Sequence, residues 1–94
     1  MEFRKELTSF APEHVRLITD LIFNQGVTSN EEIIRTAYGK CMGKEESKEI
    51  LNILWVKGFI SYGTQNMLGD MTIEPVRNSL DTLTSNGLYE PNKQ

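Results

Sequence analysis

Apolar residues recur at helical spacing along four stretches of this chain, and two short stretches carry the aromatic and β-branched content of strands. From Pro12 to Asn24, Val15, Ile18, Leu21 and Ile22 share one arc of a helix. Glu13, Arg16, Asp20 and Asn24 share the opposite arc, which the pattern turns to water. Pro12 stands at the first helical position, where proline is tolerated best. Gly26 suits the left-handed cap that ends this helix, and Val27 follows as a very short strand. Ser29 to Glu32, or Thr28 to Glu31, has capping-box spacing, which predicts a second helix with Ile33, Ile34, Ala37 and Tyr38 inward and Gly39 as its stop. Lys40, Cys41 and Met42 lie between Gly39 and Gly43 and read as a turn whose apolar contents tuck inward.

A third helix is predicted from Lys44, with Glu45 and Glu46 in the first turn, where the helix dipole favours negative charge. Ser47, Ile50, Leu51 and Leu54 make a continuous buried stripe with Trp55 at its edge. Lys57 and Gly58 form a matched stop signal. Ile53 and Val56 point away from the stripe and require a second surface, from the later helix, the hairpin or another subunit. Phe59 to Tyr62 and Met71 to Ile73 read as two strands joined by the loop 63–70, with Phe59 and Tyr62 differing in exposure. Pro75 is predicted to open a last helix with Val76, Leu80 and Leu83 on one face, closed by Gly87 with Leu88 packing back. Residues 1–10 form a short helix or an arm, and residues 89–94 a polar, frayed tail. The expectation is one domain spanning 1–94, mainly α with a small β-hairpin (α+β).

Composition narrows the possibilities. Ninety-four residues, 38% hydrophobic and 24% charged, suffice for one modest core without cross-links and are too apolar for a disordered chain. No apolar run reaches the ~18 to 20 residues that span a bilayer, and the N-terminal residues carry no signal-like apolar segment. The expected compartment is therefore the cytoplasm, with which a lone Cys41 agrees. One His and one Cys supply neither a metal set nor a nucleophile–base pair, so no enzymatic activity, cofactor or metal is expected. His14 reads as structural, Cys41 as a small buried residue in preference to a redox sensor, and Trp55 as core or interface.

The formal net charge of −3 weighs against a simple phosphate-driven DNA binder. Charge is unevenly spread, however. Between residues 35 and 62, Arg35, Lys40, Lys44, Lys48 and Lys57 outnumber Glu45, Glu46 and Glu49, while the remainder is acidic.

The order helix, very short strand, helix, turn, helix, strand, loop, strand, helix resembles the winged helix-turn-helix family of DNA-binding domains. The stretch ILNILWVKGFISYG, residues 50–63, carries the best local match: a leucine-containing helix end, a basic residue, glycine and a wing strand. The resemblance covers roughly residues 12–88. It departs from the compact helix-turn-helix pattern in placing Arg35 where a small residue is usual and Glu45 where an apolar one is usual. It implies a three-helix core plus wing and C-terminal helix, with the third helix entering the major groove and the wing touching adjacent backbone.

On that implied surface, Lys48 and Asn52 suit base edges, Lys40 and Lys44 suit phosphates, and Gln65 and Asn66 of the wing can hydrogen-bond. The wing residues 63–70 contain no Arg or Lys, a poor composition for reading a minor groove. Ile53, Val56, Met67 and Leu68 are apolar where a monomer exposes them, which suggests a protein contact. Two readings follow. One is a small transcriptional regulator binding double-stranded DNA as a dimer. The alternative is an acidic protein-interaction module, an adapter or inhibitor, without DNA binding.

Overall fold

The computed structural model describes residues 7–65, 67 and 69–90 of the chain. Among them are four α-helices and one two-stranded antiparallel hairpin, a small α+β architecture. The helices are α1 (Pro12–Thr19), α2 (Asn30–Gly39), α3 (Lys44–Val56) and α4 (Leu80–Ser85), and the strands are β1 (Ile60–Gln65) and β2 (Met71–Pro75). The last turn of the first helix, Asp20–Asn24, widens to π-type geometry. α3 is the hub: it packs on α1, on α2, on β1 and on the short Leu7–Ser9 turn. Its stripe of Ser47, Ile50, Leu51 and Leu54 is fully buried, as the apolar spacing predicts. Ile33, Ala37, Met42, Ile60, Ile73 and Leu83 join it in one core.

The ends of α2 and α3 close in the same way on different residues. After α3, the amide of Phe59 bonds the carbonyl of Leu54 at 2.8 Å, and Gly58 takes φ +81°, the left-handed conformation that a missing Cβ permits. α2 ends the same way with the wrong residue. The helix runs through Gly39, Met42 N–H bonds Ala37 C=O at 3.0 Å, and Cys41 carries the positive φ of +68°. Cys41 is exposed, in contrast to its expected burial, because the left-handed position of such a cap points outward while the next residue, Met42, packs inward.

Several other expectations are corrected. Tyr38 is 59% exposed instead of interior. Ile53 is buried, whereas Val56, three residues on, is 68% exposed. Val27 forms no strand; a single bridge pairs Ser29 with Thr72, and Ile73 N–H bonds Thr28 C=O at 2.7 Å. β1 continues past Tyr62 to Gln65 through a bulge in which Gly63 and Thr64 face Thr72, so the connecting loop shortens to 66–70. Phe59 and Tyr62 are both half-buried. Pro75 does not open a helix. It ends β2 opposite Ile60, and a 3₁₀ turn, Arg77–Ser79, leads into α4.

The expected tail at 89–94 begins later, since Tyr89 is buried and residues 91–94 lie outside the described ones. Arg16 and Asn24, expected to face water, hold it there together with the buried Thr19. Arg16 donates to Gly87 C=O at 2.9 Å, Thr19 to Leu88 C=O at 2.8 Å, and Asn24 to Glu90 C=O at 2.9 Å. The Tyr89 hydroxyl donates to Asn24 Oδ1 at 2.6 Å, and its ring meets Phe23 edge-on with centroids 5.7 Å apart.

Candidate functional site

Two strongly local features govern the surface that α2 and α3 share. The first is the start of α2. Ser29 is its N-cap, and its hydroxyl oxygen accepts from Glu32 N–H at 3.1 Å. A further acceptor reaches this helix start from the hairpin: Asp70, at the foot of the hairpin loop, accepts from the Ser29 hydroxyl at 2.5 Å and from Glu31 N–H at 2.9 Å. These two bonds, the hydroxyl first, hold the Asp70 carboxyl below the ordinary carboxylate range, and the Arg35 charge adds to them. The hairpin loop is thereby clipped to α2.

The second feature is the groove between α2 and α3, a concavity of about 330 Å3 lined by Glu31, Ile34, Arg35, Tyr38, Lys44 and Lys48. Glu31, Ile34, Arg35 and Tyr38 stand at i, i+3, i+4 and i+7 and so share one face of α2. The Lys44 ammonium lies over the exposed Tyr38 ring, 5.0 Å from its centroid, in cation–π geometry. Lys48 stands one turn further along α3, with Nζ 3.9 Å from Glu45 Oε1 in an exposed pair that contributes little.

The remaining acids of α3 are partly withdrawn from this face. Glu46 receives His14 Nδ1 at 2.5 Å across the α1–α3 contact, which gives His14 its structural place. Glu49 is half-buried.

Lys40, Lys44, Lys48 and Asn52 are all exposed, and Lys44 and Lys48 meet in the groove. Gln65 is exposed at the end of β1 and donates to Gly69 C=O at 3.0 Å, closing the loop on itself. Asn66 and Leu68 lie outside the described residues, while Met67 is fully exposed at the loop tip. Of the six groove residues, Glu31, Ile34, Arg35 and Tyr38 were not expected from the pattern to belong to a site. The i, i+3, i+4, i+7 set on α2 was the available signal, obscured because Tyr38 also fits the spacing of the inward face.

Beyond Asn52 the exposed face of α3 turns apolar. Trp55 is 49% exposed and packs beside Tyr62, ring centroids 5.9 Å apart, with Val56 next to it. Burial raises the Tyr62 hydroxyl pKa above its ordinary value. Among the described residues no group of three or more His, Cys, Asp or Glu side chains is placed to hold a metal ion, and no helix is long and apolar enough to cross a membrane. The chain matches no protein-family model, no curated protein and no solved structure.

Proposed function

We propose that the protein is a small winged-helix transcriptional regulator that binds double-stranded DNA, with α3 as the helix that enters the major groove and the hairpin as its wing. The observation that carries this reading is the convergence of Arg35, Lys44 and Lys48 on the α2–α3 groove, with Asn52 exposed one turn beyond Lys48. A chain of net charge −3 thus collects cations on the face that the winged-helix arrangement presents to a duplex. Lys48 and Asn52 then face base edges, and Lys40 and Lys44 face phosphates. Val56 and Trp55 supply a surface for self-association; as a dimer the protein would read half-sites about one DNA turn (~34 Å) apart. It works in the cytoplasm and performs no catalysis.

The test is binding to a pool of short duplexes at low salt, selected for preferred sequence. Lys48→Ala and Asn52→Ala are expected to weaken the selected duplex by roughly 1 to 3 kcal/mol each and to relax its sequence preference. Unchanged affinity and preference in both variants would remove α3 as the reader. The protein-interaction reading is favoured by a different observation, the apolar exposure of Trp55, Val56 and Met67. It gains if the chain retains no duplex at low salt yet forms a stoichiometric protein complex that Met67→Asp or Val56→Asp disrupts.

A further inference from the structure

We infer that the α2–α3 groove is an oxyanion site that holds one phosphate between Arg35 and Lys44, with Tyr38 as the residue that positions Lys44 and Lys48 adding its charge to the lining. Three cationic side chains and one carboxylate, Glu31, line it, so the lining is net positive in an acidic chain, with Glu45 on Lys48 and Asp70 on Arg35 acting from outside it. At about 330 Å3 it has room for a tetrahedral oxyanion with its waters, each water occupying roughly 30 Å3 of liquid. A free lysine stem carries large rotamer entropy that an anion contact must overcome. The Tyr38 ring, 5.0 Å from Lys44 Nζ, restricts that motion before any ligand arrives and leaves the ammonium protons free to donate. Arg35 brings the planar fork that takes two phosphate oxygens at once, whereas the lysines act as point charges.

As the source of the phosphate we name the duplex backbone, and to that extent the inference rests on the DNA-binding reading. The site itself is defined by chemistry that inorganic phosphate shares. Lys44 and Arg35 stand on two different helices, so a phosphate held between them fixes the angle at which α3 meets the duplex. Glu31 opposes the anion from within the groove, which gives the site a variant expected to bind better than the native chain.

The experiment is a two-dimensional NMR titration of the whole chain with inorganic phosphate, compared with chloride at equal ionic strength. The signals followed are the Arg35 side-chain Nε–H and the amides of residues 35, 38, 44 and 48. Saturable shifts confined to the groove are expected, weakened severalfold by Lys44→Gln and about two- to fivefold by Tyr38→Leu, with Tyr38→Phe matching the native chain because the ring is kept. Glu31→Gln is expected to tighten binding. Drift identical to that in chloride, or equal titration of all variants, overturns the site. The duplex arm separates the two sources. If a duplex binds but Lys44→Gln leaves its salt slope unchanged and phosphate does not compete, the groove assignment falls and the DNA reading stands. If phosphate saturates the groove while no duplex binds, the site stands with free phosphate as ligand and the DNA reading falls.

Discussion

The two ends of α3 show water opposite chemistries. Its N-terminal half presents Lys44 and Lys48 beside the Arg35–Tyr38 face of α2, while its C-terminal half presents Trp55 and Val56 beside Tyr62. One helix therefore offers a charged surface and an apolar one within thirteen residues. The difference teaches that net charge and mean composition describe neither face of this protein. The acids that lower the charge are largely elsewhere, or are engaged: Glu46 with His14, and Asp70 with Ser29. The two ends are also separable by substitution, because both rest on the same buried stripe and neither contributes to it.

Leu54→Ala should have the largest effect. Leu54 is fully buried under the helix, and its truncation is expected to destabilise by about 2 to 5 kcal/mol in denaturant melts, degrading both surfaces together. A mild loss, with one surface spared, would mean that the two ends do not share a foundation. Ser29→Ala comes next, at about 1 kcal/mol, since it removes the N-cap of α2 and the clip to the hairpin. The apolar end, which does not touch that clip, should keep its Trp55 fluorescence.

The Asp70 half of the same clip predicts a pH dependence. Its carboxyl titrates below the ordinary value of 3.8 in the native state, so its stabilisation is complete above that value and disappears as pH falls through the native one. Asp70→Asn should remove that portion of the acid limb; an unchanged acid profile would show that the clip does not couple loop to helix in solution.

Cys41→Gly is expected to stabilise by about 0.5 kcal/mol, relief of a left-handed non-glycine residue being partly offset by the greater freedom of glycine in the unfolded chain. A loss of stability would indicate that the exposed thiol has a partner. Val56→Asp should change stability least, within about 0.5 kcal/mol, and leave the basic end intact. Sedimentation of this variant shows whether the apolar end joins two copies.

Much of this was legible in the residues. The stripe of Ser47, Ile50, Leu51 and Leu54 announces α3 because its periodicity is helical and its stop, Lys57-Gly58, is explicit. Leu83, Gly87 and Leu88 announce the last helix end for the same reason, the Leu88 amide bonding Leu83 C=O at 2.9 Å. What escaped the pattern depends on contacts between distant parts of the chain. Tyr89 is buried only because Asn24 and Phe23 lie across from it, and Asp70 caps α2 only because the hairpin folds over. Pro75 fits a helix start and a strand end equally well, and the ladder with Ile60 decides between them. Gly39 is a plausible stop, yet α2 includes it, and the left-handed turn at Cys41 is what delivers Met42 to its buried site. Lys44 and Lys48 were readable as surface cations; Arg35 and Tyr38 join them only once α2 is set against α3.

The salt dependence of duplex affinity tests the central claim most directly. If the groove neutralises one backbone phosphate and Lys40 a second, the logarithm of the affinity should fall against the logarithm of salt with a slope of about −1.8 per protomer, shallower by up to about 0.9 in Lys44→Gln. A slope near zero, or no retention of any duplex at low salt, would contradict a DNA-binding face and leave the apolar end of α3 as the working surface.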